Sequence, residues 1–175
     1  MKKFNLDPAH STVQFSIKHM MIAKVHGTFD KLQAELNYNE LNINESAVKA
    51  KIDVDSINTK EPQRDNHLKS ADFFDIQKFP TIEFQSTNLT KESNSELKIN
   101  GLLTIHGVTK EVTLISEGLS PEMKDPWGNI KLGISAKTSI KRKDFGLNWN
   151  AALEAGGVLV GDEVQIQLDL QFLKV

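Results

Sequence analysis

The 175-residue chain has no cysteine, which excludes disulfide staples, thiolate metal sites and a cysteine nucleophile. It also lacks a surplus of either charge: 21 basic and 23 acidic side chains leave a formal −2. Sequence-independent binding to nucleic acid needs excess cations to displace counterions, so no nucleic-acid partner is expected. No apolar run approaches the roughly 18 residues of a membrane-spanning helix, and no stable membrane insertion is expected. Met1-Lys2-Lys3 resembles the start of a secretory leader, yet Phe4-Asn5-Leu6-Asp7-Pro8 follows and the apolar stretch of roughly 7–15 residues never begins. The expected location is cytoplasmic, or extracytoplasmic if a leader has been removed. The composition that remains, 25% charged and 39% apolar, fits one folded domain over residues 1–175.

What the chain has in abundance is a period of two. Val13, Phe15, Ile17 and His19 alternate with Thr12, Gln14, Ser16 and Lys18. Similar runs cover 31–38, 48–54, 81–85, 97–105, 112–114, 130–140 and 163–172, the last with Val164, Ile166, Leu168, Leu170 and Phe172 on one side. Eight strands, each with one wet and one dry face, read as antiparallel. Only residues 61–79 break the period: Pro62 suits a first helical turn, Pro80 closes the stretch, and one or two short helices are expected between. Phe29 to Leu32 is a step of three, which predicts a bulge near Asp30-Lys31. Loops are expected around 120–129 and 151–161.

Several of these runs last eight to eleven residues, longer than the usual sandwich strand, and a closed up-and-down barrel removes exposed edges. Eight staves leave an interior that side chains fill or that holds one small ligand. The dry face is uniformly apolar, and that alone leaves two readings open. One is a packed core; the other is a tunnel for a hydrocarbon tail, in which ten buried methylenes would contribute about 8 kcal/mol before association costs.

Arginine is the scarcest charged residue, with Arg64 and Arg142 set against 19 lysines. A planar multidentate donor retained at two places suggests a polar head group to be met. The competing reading is two structural ion pairs, Arg64 with Asp65 or Asp75 and Arg142 with Asp144. The histidines show no metal-ligand spacing, and no metal is expected; His10 and His106 fit backbone hydrogen bonding beside turns, with His106-Gly107 forming a hairpin turn. Asp65, His67 and Ser70 are ingredients of nucleophilic chemistry, but no nucleophile elbow, zinc motif or phosphate-cradling loop accompanies them.

In order along the chain stand Asp7-x-x-His10-Ser11, Gly27-Thr28-Phe29, Thr59 with Arg64-Asp65-x-His67-Leu68, Ala71-Asp72-Phe73-Phe74-Asp75, and Phe79-Pro80-x-Ile82-x-Phe84. Gly101 to Thr109, Trp127-Gly128, Arg142-x-Asp144-Phe145-Gly146-Leu147 and Val160-Gly161-Asp162-x-Val164 complete the series. From about residue 4 to 173 the sequence closely resembles the YceI-like family of lipid- and polyisoprenoid-binding proteins. The resemblance implies an all-β, eight-stranded, lipocalin-like barrel whose apolar cavity holds a polyprenyl pyrophosphate, an isoprenoid quinone or a similar long-chain lipid. It implies sequestration or transport without transformation, no cofactor, and a possible homodimer. Carried over residue by residue, it places Phe15, Ile17, His19, Phe29, Leu68, Phe73, Phe74, Phe84, Leu103, Ile134, Phe145 and Trp149 around the cavity. Arg64, His67 and Arg142 are the head-group candidates. The alternatives are a packed barrel acting through its surface as a scaffold, and a lipid-modifying enzyme using Asp65 and His67.

Overall fold

The computed structural model describes residues 1–175. The strands are β1 (Lys2–Leu6), β2 (Thr12–His19), β3 (Ala23–Phe29), β4 (Leu32–Tyr38), β5 (Ala47–Asp53), β6 (Ile57–Asn58), β7 (Thr81–Ser93), β8 (Glu96–Ile105), β9 (Val108–Leu119), β10 (Met123–Lys124), β11 (Ile130–Lys141) and β12 (Val160–Lys174). One helix, α1 (Pro62–Lys69), lies between β6 and β7.

Six of these strands join end to end, β1 with β2, β3 with β4 and β5 with β6, so the sheet has eight long staves and the small appendage β10. Each stave pairs antiparallel with the next in sequence, and β12 closes the ring by pairing with β11 on one side and with β1 and β2 on the other. The result is the expected eight-stranded antiparallel barrel. Register keeps one face inward throughout: Leu168 stands opposite both Val13 and Ala136.

The breaks within staves have local causes. At Asp30-Lys31, where the step of three predicts a bulge, the backbone bonds across to the third stave through Asp30 N–H to Ser56 O (3.2 Å) and Asp53 N–H to Lys31 O (3.0 Å). At Asp7 the carboxylate caps the turn Pro8–His10 by accepting from Ala9 N–H (3.2 Å). It also lies 2.9 Å from His10 Nδ1 and 3.0 Å from Lys131 Nζ. His10 therefore meets a side chain, where the sequence suggested backbone. The hairpin at His106-Gly107 forms as expected, both residues at positive φ (53° and 73°) as a tight primed turn requires. His106 Nδ1 sits 3.3 Å from Phe145 O.

The ammonium of Lys131, and then His10, hold the Asp7 carboxyl below its ordinary range. A depressed folded-state value stabilises the protein above the unfolded carboxyl's value of about 3.9, and that contribution is lost as pH falls through the folded value. Urea unfolding at neutral and acid pH checks this: the midpoint of Asp7→Asn should start lower at neutral pH and fall less on acidification than that of the native protein.

The two barrel ends differ. At one, Phe4, Leu6, Leu36, Leu132 and Phe172 interlock, with Leu89, Leu97, Ile99 and Leu114 packed beside them as a second cluster. At the other, the cover is built from α1, the turns that follow it, and the segment 142–159. Glu61 starts α1 by accepting from Gln63 and Arg64 N–H, and Pro62 occupies the first turn, where its missing N–H costs nothing. Beyond the helix, Phe73 N–H to Ser70 O (3.0 Å) and Phe74 N–H to Leu68 O (2.9 Å) fold two phenyl rings under the cover.

Candidate functional site, a cavity with a polar mouth

Along β12 the inward residues Val164, Ile166, Leu168 and Leu170 are only partly buried, whereas Phe172 is 2% exposed. Inside a closed barrel, partial exposure means that these side chains face open space. That space is a cavity of about 340 Å³, with 37 hydrophobic residues among the 45 that line it. Its volume falls within the about 300–1,000 Å³ of small-molecule sites. Two inward glycines help to keep it open. A Cβ on Gly27 would strike the ring of Phe15, and one on Gly101 the ring of Phe84. Both phenyls therefore lie over bare backbone on the neighbouring stave.

Phe15, Ile17, His19, Phe29, Leu68, Phe73, Phe74, Phe84, Leu103, Ile134 and Trp149 all line this space. Phe145 does not. It ends the tight turn Arg142–Phe145 and is 2% exposed, packed behind the cavity wall in a cluster with Ile105 and Leu147, which do line the space. A helical turn replaces the strand alternation there, so its side chain no longer points where the period of two would send it.

Besides Gln14 and Thr138, the polar lining residues are Lys18, His19, Thr59, Arg64, His67 and Arg142, and these six gather at the covered end. Buried Thr59 organises one group. Its hydroxyl accepts from Arg64 Nε (2.8 Å) and donates to Asp65, its carbonyl accepts from Arg64 Nη2 (2.7 Å), and Asp65 also takes its N–H (3.0 Å). Arg64 pairs with no carboxylate, neither Asp65 nor Asp75, and three of its five N–H donors stay free of protein partners. It is a fixed, oriented cation at the edge of an oily cavity.

Arg142 is different. Although it borders the cavity, it is 3% exposed and donates to four backbone carbonyls: Gly161 (2.7 Å), Leu147 (2.6 Å), Trp149 (2.9 Å) and Val160 (3.4 Å). It binds the covering segment together, and the expected pair with Asp144 does not form. Burial lowers its pKa, and nearby Asp162 opposes that shift. Its geometry is that of a clamp, not of a head-group receptor.

His67 Nε2 lies 2.8 Å from Asp72 Oδ2, and its ring stands edge-on to Phe73 and Trp149 at centroid distances of 5.1 and 4.8 Å. This aromatic trio forms part of the rim. Asp65 and His67 serve different partners, and Ser70 Oγ donates to the His67 carbonyl at 2.6 Å, so no base faces a nucleophile. No three His, Asp or Glu side chains converge as a metal site. Sequence reasoning assigned no role to Thr59, Asp72, Lys18 or Asn150. Asn150 bonds Val160 through both its N–H and C=O (2.7 and 3.0 Å). Such tethers act across space and leave no periodic signal.

A closed eight-stave barrel with this cavity and this ordered set of residues matches the YceI-like domain over residues 4–172. The chain belongs to the YceI-like family. A UPF0312 protein of Staphylococcus aureus strain USA300 is 41% identical over 174 residues, 98% of each chain, and one from strain N315 is 38% identical over the same span. Among solved structures, Burkholderia cenocepacia BcnA superposes with a TM-score of 0.82 at 23% identity, covering 95% of this chain and 98% of that one. The Campylobacter jejuni YceI protein gives 0.74 at 28%, covering 90% of both. A polyisoprenoid binding domain from Saccharophagus degradans gives 0.72 at 15% over the full length of both, a likeness of fold alone. Membership of the YceI-like family accounts for the barrel.

Proposed function

We propose that this YceI-like protein binds a long-chain amphiphile of the isoprenoid class and carries it unchanged, with the tail in the barrel and a polar head at Arg64. The observation that carries the reading is an apolar cavity bordered by a guanidinium that Thr59 aims and no carboxylate neutralises. An arginine fork suits a phosphate or diphosphate through paired charge-assisted hydrogen bonds. The polyisoprenoid binding domain among the structural neighbours supports the tail class. An open cavity disfavours the packed scaffold, and the separate partners of Asp65 and His67 disfavour the enzyme.

Titration with a polyprenyl diphosphate, an isoprenoid quinone and a plain polyprene tests the assignment. Arg64→Ala removes hydrogen bonds to a charged group worth about 1.5–3 kcal/mol, so diphosphate affinity should fall about 10- to 100-fold. Affinity for the hydrocarbon should hardly change, and the quinone should fall between the two. Equal losses for all three ligands would remove Arg64 from the head-group role.

A further inference from the structure

The hairpin between β2 and β3 ends in Met20-Met21-Ile22, and all three side chains are exposed, Ile22 at 85%. Ile22 N–H closes the turn on His19 O at 3.3 Å, and both central residues hold positive φ, 52° for Met20 and 61° for Met21. That backbone favours asparagine and glycine and strains side chains such as methionine. A local rule broken at side chains that stay exposed, with only Met21 touching Gly157, marks a place where the side chains serve something outside the fold.

The hairpin's own charges beneath the tip are of one kind, and the carboxylate that acts on Lys18 is Glu163 of the neighbouring β12. Lys18 and Lys24 stand directly opposite each other in register, an arrangement that repels, and neither forms an ion pair. Between Ser16 and Phe29 the hairpin contains no Asp or Glu at all. The tip also adjoins the cavity mouth: Met20 N–H donates to Leu159 O at 2.8 Å, Met21 Sδ rests against Gly157, and Leu159, Lys18 and His19 line the cavity.

We propose that this hairpin is a membrane-docking device, in which Met20, Met21 and Ile22 enter the interfacial layer of an anionic bilayer while Lys18 and Lys24 meet its head groups. Apolar side chains backed by unpaired cations are the combination that holds a peripheral protein on such a surface. Docking there turns the mouth toward the bilayer. The inference goes beyond the cargo reading, because adhesion is measurable without uptake.

The test is co-flotation with vesicles of phosphatidylglycerol and phosphatidylcholine, or of phosphatidylcholine alone. The native protein should float with the anionic vesicles, and added salt should weaken the association. The variant Met20→Asn, Met21→Gly, Ile22→Ser places residues suited to positive φ at the turn; it should keep or raise the melting temperature, yet lose vesicle binding about tenfold or more. Lys24→Glu should weaken binding to anionic vesicles only. Uptake of a ligand presented in solution should be the same in all three proteins, so a failure of docking and a failure of cargo binding are separable. Absence of native binding to either vesicle, or undiminished binding by the triple variant, overturns the proposal. So does a native self-association without lipid that the triple variant abolishes, since the tip would then meet a second copy of the chain.

Discussion

Phe84→Asp is expected to abolish uptake of a long-chain ligand while lowering stability by about 3 kcal/mol, the low end of what loss of a packed phenyl ring costs. Phe84 lines the cavity, covers Gly101 and faces Ala50 across the β5–β7 pair. A carboxylate there has no cation to pair with, because Arg64 and Lys18 lie at the mouth. Desolvation pushes its pKa up, so the penalty grows as the solution is made more alkaline. Because this change also weakens the fold, Ala50→Phe supplies the complementary measurement. It adds a ring opposite Phe84 and fills the space with no polar group. Overpacking usually costs about 1–3 kcal/mol, and an open cavity relieves part of that. Uptake should fall as severely as for Phe84→Asp, whereas the melting temperature should stay close to native. Titration with a fluorescent long-chain ligand, run beside thermal unfolding, separates the two effects. Native affinity in a folded Ala50→Phe protein would put the guest somewhere other than the barrel.

The contrast between these two substitutions depends on the same alternation that made the fold readable. Each of the eight periodic runs corresponds to one stave, because a strand with one wet face and one dry face repeats every two residues. Parts of staves escaped notice for identifiable reasons. Residues 23–29 form β3, but the inward position at Gly27 has no side chain, since Phe15 occupies its space from the neighbouring strand. The apolar alternation is broken by the feature that leaves room in the cavity. β1 offers only Phe4 and Leu6 before Asp7-Pro8 stops the pattern. β9 runs from Val108 to Leu119, far beyond the 112–114 that its periodicity shows, because Thr109, Lys110 and Glu111 are exposed at one end and bulging near Ser116–Leu119 shifts its pairing with β11 at the other.

The site was legible in a different way. Which residues face the interior follows from the period, and eleven of the twelve cavity candidates line the space; Phe145 falls where a turn replaces the strand. Whether that interior is filled or hollow does not follow. It depends on where rings and glycines meet across strands, which is a property of register. The two arginines show the same limit. Scarcity singled out both, but Arg64 near Thr59 keeps free donors while Arg142 spends four on backbone. Sequence tells that a guanidinium is special; only its partners tell whether it holds a ligand or a loop.

That distinction makes Arg142→Ala the sharpest stability experiment on this protein. Removing the side chain deprives the carbonyls of Leu147, Trp149 and Gly161 of this donor at once and leaves that of Val160 to Asn150. An unsatisfied buried polar group costs about 1–3 kcal/mol, and water entering the loosened cover recovers part of this, so a net loss of about 4 kcal/mol is expected. At about 2–4 °C per kcal/mol for a chain of this size, the melting temperature should drop by about 10 °C. Lysine keeps the charge but presents three donors from one point and cannot span carbonyls spread from Leu147 to Gly161, so Arg142→Lys should recover only a minor share. Amide exchange should rise first between 147 and 161, because that segment loses its buried clamp and is then held by Asn150, the short Ala152–Val158 bridge, the Met20 N–H to Leu159 O bond and the packing of Trp149 on His67 and Phe73. The effect on binding should be unspecific, with diphosphate, quinone and hydrocarbon weakened alike as the cover loosens. A head-group receptor behaves in the opposite manner, nearly native in stability and selectively impaired toward charged heads, and that outcome for Arg142→Ala would show that the clamp yields its donors to a ligand.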